Sequence, residues 1–243
     1  MITLYGWGPI FGCPSPSPFV MKSEIQLQML GVDFRRALAD LDQVPKHKAP
    51  YLMDGDLLVQ DSNFIRAHFE RKLGRSLNDG LSDAERAAGW ALERMAEGHL
   101  TDVMAMERWQ KDANFFKGPV HFFDAVPEPA RAQVVKDVRE QFAATKYGSG
   151  IGRHSEEERL QLAAWDLEAL ALHLDTKDFL FGDRPTAADA SVTGVLISCA
   201  TDFFDTPLTG LVHRHANLVD YIGRMKARYF ARNLWPMSEP AEA

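Results

Sequence analysis

Three short groups of residues in the amino-terminal part of the chain have the types and spacing of a binding site for a thiol. Ser17 and Pro18 form a turn that predicts the start of an amphipathic helix. Pro50 opens a short hairpin, and the pair Asp61 and Ser62 follows that hairpin. A hydroxyl group at a helix N-terminus favours a thiolate, because the first backbone N–H groups and the helix dipole attract an anion there. These residues together predict a pocket for a thiol cofactor.

The elements that must position these groups are predicted in the order strand, helix, strand, hairpin, helix. Residues 2–7 have the pattern of a buried strand, and residues 18–30 that of a helix which ends at Gly31. Residues 32–38 predict a second strand. We expect the polar positions of the first helix to face mainly the solvent: Lys22, Glu24, Gln26 and Gln28.

A hairpin and a further helix complete this first pattern. The Asp-Gly pair at 54–55 lies between two apolar runs, which is a strong signal for a hairpin turn. Pro50 must then begin an edge-like strand, where its missing N–H does least harm, and its peptide bond is a candidate for the cis form. Ser62 is of a type that caps helices, and it predicts a helix over residues 63–72 that Gly74 ends.

The remainder of the chain predicts helices throughout. Two capping boxes, Ser82 with Glu85 and Ser155 with Glu158, start two of them. The predicted helices span residues 82–111, 130–147 and 155–174, and two more begin at Thr186 and at Asn217, which we assign as a cap. A Phe-rich segment at 115–123 predicts irregular structure, and the tail after Pro236 predicts disorder.

Composition argues against several classes of site and partner. The 243 residues are 46% hydrophobic and carry a net charge of −7, with no basic cluster among aromatic residues, so we expect no nucleic-acid partner. Cys13 and Cys199 are far apart, and the histidines have no HxxxH or HExxH spacing, so we expect neither a disulfide nor a metal site. No apolar run approaches the roughly 20 residues that span a bilayer, and no signal segment is visible. We therefore expect a cytoplasmic protein without a membrane partner.

Two parts of the chain resemble the two domains of glutathione transferases. Residues 1–75 resemble the family's α/β thioredoxin-like N-terminal domain, and the rest resembles its all-α C-terminal helical domain. The segment 181–189, with the sequence Phe-Gly-Asp-Arg-Pro-Thr-Ala-Ala-Asp, resembles the family's capping-box segment. In that segment Thr186 and Asp189 would close the start of a buried helix.

The closer resemblance is to the branch of this family that includes the metaxins and the failed axon connections (Fax) proteins. Three segments carry it: residues 15–19 (Ser-Pro-Ser-Pro-Phe), 150–155 (Gly-Ile-Gly-Arg-His-Ser) and 215–219 (His-Ala-Asn-Leu-Val). The resemblance extends over nearly the whole chain, up to residue 230. It implies a thioredoxin-like glutathione-binding domain over residues 1–75 and an all-helical domain over residues 82–235.

The resemblance implies that glutathione is the co-substrate and that its thiol is activated for transfer to an apolar electrophile. In glutathione transferases this helix start carries the residue that meets the sulfur, and Ser17 stands where the omega-like classes have the cysteine of Cys-Pro-Phe. A serine cannot form a mixed disulfide, so it favours conjugation over thiol–disulfide exchange. Two alternatives stay open: Ser17 is only an N-cap, or Ser15 or Cys13 meets the thiol instead.

The remaining contacts to glutathione are assigned by chemical type. Its peptide backbone would pair with the main chain at Ala49, just before Pro50. Asp61 would bind the γ-glutamyl ammonium, and the hydroxyl of Ser62 with the N–H groups of its helix would bind the γ-glutamyl carboxylate. The glycyl carboxylate requires a cation, which a loop lysine would supply. The candidates are Lys46 and Lys48.

The resemblance places the second substrate between the domains. Arg108, Trp109 and Phe122 are the predicted pocket residues, because an apolar electrophile requires a largely apolar wall. Core packing is the alternative for most of the phenylalanines in this region. A homodimer is implied by analogy with the family. The alternative to an enzyme is a non-catalytic module of metaxin or Fax type, which uses the transferase fold for binding or interaction.

Overall fold

The computed structural model describes residues 1–235, and the predicted disordered tail after Pro236 lies outside them. The amino-terminal part is a four-stranded sheet with helices, and the rest is helical, as predicted. Its elements are β1 (Ile2–Gly6), α1 (Pro18–Met29), β2 (Arg35–Leu38), β3 (Tyr51–Asp54), β4 (Leu57–Gln60) and α2 (Ser62–Leu73). The strand order is β2-β1-β3-β4, with β1 parallel to β2 and antiparallel to β3, which also pairs with β4 in antiparallel fashion.

Eight further α-helices and one π-helical turn follow in the described part of the chain. They are α3 (Asp83–Met95), the π-helical turn Ala96–Leu100, α4 (Thr101–Trp109), α5 (Asp112–Lys117), α6 (Glu128–Ser149), α7 (Glu156–Leu174), α8 (Ala187–Cys199), α9 (Pro207–His213) and α10 (Ala216–Tyr229). The capping boxes at Ser82, Ser155 and Thr186 are all present. The prediction that the Phe-rich segment is irregular is wrong, because α5 covers its start and a 3₁₀-helix, Pro119–Phe123, covers its end. None of the helices in residues 1–235 is both long and apolar enough to cross a membrane.

Three local predictions about the first domain are confirmed. Ser17 caps α1 and Pro18 is its first residue, Gly55 adopts a positive φ of 63° in the hairpin turn, and Gly74 ends α2 in the left-handed conformation. The Ala49–Pro50 bond is cis. In each case a local rule, either a cap, a turn or the restricted backbone of proline, decides the conformation. The prediction that Pro50 begins an edge-like strand is wrong, because the strand that follows it, β3, pairs with both β1 and β4.

Three caps and boundaries differ from the prediction. Asp61, not Ser62, caps α2, because the Asp61 carboxylate accepts the Asn63 N–H at 2.8 Å while Ser62 is already helical. The cap of α10 is His215; the Asn217 side chain instead donates to the carbonyl of Ala171 at 2.9 Å, on α7. β2 begins only at Arg35, since the chain is still bonded to the end of α1 before that point.

The polar side chains of α1 are buried, contrary to the prediction that they face the solvent. Lys22, Glu24 and Gln26 are at most 3% exposed, and Gln28 is partly buried. The cause is that α1 is covered on both sides. Leu27, with Leu30 just after the helix, packs with β1 and β3 in one core cluster, and Met21 and Ile25 pack with the helical domain in the other.

α8 is the helix of the second domain that packs most closely on α1. All of its residues are buried, and Gly194 lies directly against the backbone carbonyl of Pro18, where a Cβ atom would collide with that oxygen. The Asp189 carboxylate holds the start of α8 through the N–H groups of Thr186 (2.7 Å) and Leu180 (2.9 Å). The helical domain therefore supports the first turn of α1 directly.

Candidate functional site

The first turn of α1 offers hydrogen-bond donors beside Ser17. The Ser17 Oγ accepts the Val20 N–H at 3.4 Å, and the Ser17 carbonyl accepts the Met21 N–H at 3.2 Å. Pro18 has no N–H to give. Among residues 1–235, the Phe19 N–H and the hydrogen of the Ser17 hydroxyl have no acceptor, so both can donate to a ligand. An anion at this end of α1 would meet two donors and the positive end of the helix dipole.

Ser15 and Cys13, the alternatives to Ser17 for the contact with the thiol, have different surroundings. Ser15 is fully buried, and its Oγ accepts the Ser17 N–H at 3.3 Å. Cys13 is 3% exposed, and its thiol lies 3.5 Å from the carbonyl oxygen of Phe11. Burial raises the pKa of the Cys13 thiol, and the positive charge of Arg108 offsets only part of this effect. Ser17 is the only one of the three that is not buried.

The loop between β1 and α1 is anchored to the helical domain through Phe11. Phe11 is 4% exposed, and its ring centroid lies 5.6 Å from that of Phe122, 5.2 Å from that of Phe203 and 5.1 Å from that of Phe204. The Phe11 carbonyl accepts the Thr201 hydroxyl at 2.7 Å. These contacts fix the loop that leads into Ser17.

Pro50, Asp61 and Ser62 meet at the start of α2. The Asp61 N–H donates to the Pro50 carbonyl at 3.3 Å. Asp61 has φ 83° and ψ 134°, which for a residue other than glycine costs about 1–3 kcal/mol. Such strain persists only where the surrounding structure imposes it, and it is frequent at ligand sites. Ser62 is 3% exposed.

The loop lysines differ in their contacts. The backbone N–H of Lys46 donates to the Gln60 side chain at 3.0 Å, and the Lys46 ammonium lies 4.8 Å from the centroid of the Phe64 ring. Lys48 is exposed and Ala49 is partly buried. Both lysines belong to the loop that precedes the cis-proline, and the contacts of Lys46 place it beside the end of β4 and the start of α2.

A buried group of charges that the sequence did not reveal joins α1 to α2 and α3. The Lys22 ammonium, 1% exposed, donates to Asn63 Oδ1 at 2.7 Å and to Glu97 Oε1 at 2.6 Å, and it lies 3.4 Å from Glu93. Glu93 also accepts from Arg66 at 3.0 Å. We call Lys22, Asn63, Glu93 and Glu97 the Lys22 cluster. Its only signal in the sequence is the spacing of Glu93 and Glu97, which puts both acids on one helix face.

The three predicted second-substrate residues are not all in one place. Trp109 stacks on Phe142 at 5.7 Å and lies 6.2 Å from Phe122, so these residues share one aromatic cluster. Phe122 is 47% exposed. Arg108, 5% exposed, donates to the Ser198 carbonyl at 2.5 Å and belongs to the packed interior.

A cavity of about 380 Å³ lies on the loop that precedes α1. It is lined by that loop, by α1, by α10 and by the segment after α10, and its walls include Pro9, Ile10, Cys13, Glu24, Phe230 and Trp235. Trp235 is 6% exposed, and its indole N–H donates to Glu24 at 3.0 Å. Arg36 pairs with the same carboxylate at 2.5 Å. The carboxyl-terminal segment thereby closes one side of the cavity.

A wider cavity of about 720 Å³ lies in the helical domain, beside the π-helical turn and the end of α6. His99 lines it, and His99 Nδ1 lies 2.9 Å from Asp166. None of the predicted site residues lines this cavity. Within residues 1–235 there is no group of three or more His, Cys, Asp and Glu side chains that could hold a metal ion.

Comparison with known families matches both parts of the chain. A model described as glutathione S-transferase N-terminal domain matches residues 18–114, and one described as glutathione S-transferase, C-terminal domain matches residues 163–225. Among solved structures, the β-etherase LigF from Sphingobium sp. strain SYK-6 superposes with a TM-score of 0.65 over 93% of this chain and 95% of that one, at 14% identity. This structural likeness concerns the fold.

Three relatives show how the family varies. The isoprene-epoxide glutathione S-transferase of Rhodococcus sp. (strain AD45) is 34% identical over 236 residues, which are 94% of this chain and 99% of that protein. Failed axon connections of Drosophila melanogaster is 27% identical over 95% of this chain and 58% of its own length. Human metaxin-2 is 24% identical over 76% of this chain and 71% of its own length.

Proposed function

Because the chain belongs to the glutathione S-transferase family, we propose that its thioredoxin-like part binds glutathione and that Ser17 stabilises the glutathione thiolate for transfer to an electrophile. The observation that carries the proposal is the first turn of α1, where the Ser17 hydroxyl and the Phe19 N–H are free to donate to an anion. A free thiol has a pKa of about 8.5, and such donors lower it towards neutral pH.

The transfer step requires no covalent intermediate on the protein. The thiolate sulfur forms a bond to an electrophilic carbon, and the leaving group or ring oxygen of the electrophile takes the electron pair. Ser17 donates its hydrogen bond to the sulfur and is not itself consumed. Cys13 takes no part, because burial raises the pKa of its thiol and keeps it protonated.

The proposed contacts of glutathione lie at the start of β3 and at the start of α2. The main chain at Ala49, before cis-Pro50, pairs with the cysteinyl backbone of glutathione. Asp61 binds the γ-glutamyl ammonium, and Ser62 with the first N–H groups of α2 binds the γ-glutamyl carboxylate. Lys48, exposed in the preceding loop, binds the glycyl carboxylate, with Lys46 as the alternative cation.

The electrophile is proposed to meet the aromatic surface beside the loop that leads into Ser17. Phe11 connects that loop to Phe122, and Phe122 neighbours Trp109, so these rings form a continuous apolar wall. Arg108 supports the wall from within, since its guanidinium lies 4.7 Å from the ring of Phe204, which contacts Phe11. An apolar wall with few polar groups suits a small apolar electrophile.

The test is a calorimetric titration of glutathione and of S-hexylglutathione into the wild type and into Ser17→Ala, Asp61→Ala and Asp137→Ala variants. Asp137 is exposed on α6 and serves as the control. We expect binding to the wild type and to Asp137→Ala, strongly reduced binding to Asp61→Ala, and binding to Ser17→Ala with lost turnover. Turnover is measured with a panel of small electrophiles that includes an epoxide. Absence of binding of both ligands to the wild type would overturn the proposal.

A non-catalytic function is the second candidate, and the similarity to Fax and metaxin-2 favours it. In that case the fold serves as a binding or interaction module. Glutathione binding without turnover of any electrophile in the panel would select this alternative. We also propose a cytoplasmic homodimer, as is common for proteins of this architecture. Light scattering coupled to gel filtration checks the dimer, and cell fractionation checks the compartment.

A further inference from the structure

The loop between β1 and α1 contains a tight turn whose backbone conformation its sequence does not favour. The Ile10 N–H donates to the Cys13 carbonyl at 3.2 Å, and the Cys13 N–H donates to the Ile10 carbonyl at 3.0 Å. We call residues 10–13 the Phe11 turn. Its two central residues, Phe11 and Gly12, have φ angles of 58° and 70°. Glycine adopts a positive φ readily, but a bulky residue such as phenylalanine is strained there, so contacts from outside the turn must hold it.

The helical domain supplies these contacts from the segment just after α8. The Thr201 hydroxyl donates to the Phe11 carbonyl at 2.7 Å and accepts the Phe203 N–H at 3.2 Å. The Phe11 ring packs on the rings of Phe203 and Phe204, so one segment holds both the backbone and the side chain of Phe11. A Cβ atom on Gly12 would lie 2.9 Å from the Thr201 hydroxyl oxygen. The turn therefore lies directly against this hydroxyl.

The chain between the Phe11 turn and Ser17 is short and stiff. Pro14, Pro16 and Pro18 restrict its backbone, because the ring of proline fixes φ. Ser15 is fully buried, and its Oγ accepts the Ser17 N–H at 3.3 Å. A shift of the turn is therefore transmitted to the Ser17 hydroxyl and to the first N–H groups of α1, because the intervening residues cannot absorb it.

We propose that Thr201 is a positioning residue for the transfer reaction. Its hydroxyl holds the strained turn at Phe11, and the turn keeps the Ser17 hydroxyl and the Phe19 N–H directed at the thiol of glutathione. This inference rests on the proposed function. Thr201 acts through the Phe11 carbonyl and not through a contact with the ligand. The helical domain thus controls the geometry of the thiolate donors, in addition to its part in the wall for the electrophile.

The experiment compares Thr201→Val with Thr206→Val, a matched control in the same segment. The Thr206 hydroxyl accepts the Leu208 N–H at 3.2 Å and donates to the Glu107 carboxylate at 2.5 Å. Each substitution therefore removes one hydroxyl and its two hydrogen bonds, but only Thr201→Val removes the bond to the Phe11 turn. Thr201→Ser keeps the hydroxyl and is the rescue variant.

We expect kcat to fall about tenfold in Thr201→Val, because a small misplacement of a group at the reacting atom is costly. The KM for glutathione should stay within about twofold of the wild type, since the proposed contacts to its peptide lie at β3 and α2. The pKa of the bound thiol should rise by about 0.5–1 unit, because a displaced donor stabilises the thiolate less. Thr206→Val and Thr201→Ser should keep all three quantities close to those of the wild type, although Thr206→Val should lower Tm as much as Thr201→Val does.

A second readout requires no glutathione. Cys13 ends the Phe11 turn and is 3% exposed, so a loosened turn should expose its thiol. Iodoacetamide should alkylate Cys13 about tenfold faster in native Thr201→Val than in the native wild type or Thr206→Val, as measured by mass spectrometry. If Thr201→Val does not fold, Gly12→Ala disturbs the same contact. Its control is Gly55→Ala, because Gly55 has a similar φ of 63° and an added Cβ would meet nothing within 4 Å.

The two proposals fail in different ways. If the wild type binds neither glutathione nor S-hexylglutathione, the proposed function is wrong and this inference falls with it. If the wild type binds glutathione without turnover, the pKa of the bound thiol decides. If Thr201→Val keeps the kcat and the thiol pKa of the wild type, the positioning role is wrong while the proposed function stands. An equal loss of kcat in Thr206→Val would show a merely structural effect and would also overturn the inference.

Discussion

Replacing Ser17 by alanine tests the proposed chemistry most directly. The substitution removes the hydroxyl donor and leaves the Phe19 N–H and the helix dipole, so part of the stabilisation of the thiolate is lost. A hydrogen bond to a charged group contributes about 1.5–3 kcal/mol, which corresponds to about 1–2 pKa units. Since a lost donor disfavours the thiolate, the pKa of bound glutathione should rise by this amount in Ser17→Ala.

The same substitution also removes a helix cap, and this effect must be separated from the first. The Ser17 Oγ accepts the Val20 N–H, and loss of an N-cap costs about 1 kcal/mol, or about 2–4 °C in Tm for a chain of this size. Ser155→Ala is the matched control. Ser155 caps α7 by accepting the Glu158 N–H at 3.2 Å, at a helix that carries none of the proposed site residues. Ser155→Ala should lower Tm by a similar amount and leave the pKa of the bound glutathione thiol unchanged.

The assay is the ultraviolet absorbance of the thiolate of bound glutathione, followed as a function of pH in the wild type, Ser17→Ala and Ser155→Ala. Ser17→Thr, which keeps both the cap and the hydroxyl, should stay within about half a pKa unit of the wild type, because its donor group is preserved. An unchanged thiol pKa in Ser17→Ala, with glutathione still bound, would refute the assignment of Ser17 as the thiolate donor.

Three further outcomes follow from the packing. Trp235→Phe removes the indole donor to Glu24 and should lower the free energy of unfolding by about 1.5 kcal/mol, measured by urea denaturation. Gly194→Ala introduces a Cβ against the Pro18 carbonyl and should cost about 1–3 kcal/mol in the same assay. Cys13, buried and with its thiol pKa raised by that burial, should resist alkylation by iodoacetamide in the native protein and react in urea, as measured by mass spectrometry.

The two stability predictions have matched control substitutions in the same chain. Leu234→Ala changes an exposed neighbour of Trp235 and should alter stability by less than about 0.5 kcal/mol. Gly210→Ala introduces a Cβ that meets nothing within 4 Å and should be neutral or stabilising. Rapid alkylation of Cys13 in the folded protein, or equal stability of Gly194→Ala and Gly210→Ala, would contradict the described packing.

The local elements were predictable because their signals lie within a few residues. The caps at Ser17, Ser82 and Ser155, the hairpin at Gly55 and the helix end at Gly74 each depend on one side chain and its near neighbours. The predicted cap of α2, Ser62, is wrong by one residue, because Asp61 is the cap. Aspartate and serine both cap helices, and only the backbone conformation determines which of the two does so here.

The burial of polar residues was not predictable from local pattern. Lys22, Glu24 and Gln26 have the types of a solvent face, and a rule that considers one helix at a time assigns them to water. They are buried because α8 and the segment at Trp235 come from distant parts of the chain and cover α1. Their charges tolerate this because Lys22 pairs with Glu97 of the π-helical turn and Glu24 pairs with Arg36 of β2.

The sequence by itself determined the order of the elements, their caps and turns, and the family that the motifs at residues 15–19 and 181–189 resemble, because these depend on short-range stereochemistry. The tertiary structure decided which side chains share a site. Ser17 is partly exposed while Ser15 and Cys13 are buried, and the Lys22 ammonium donates to Asn63, because these relations depend on helices brought together from far along the chain. The free energy of a buried charge depends on the residues that surround it in the fold, and a local sequence pattern does not show which residues these are.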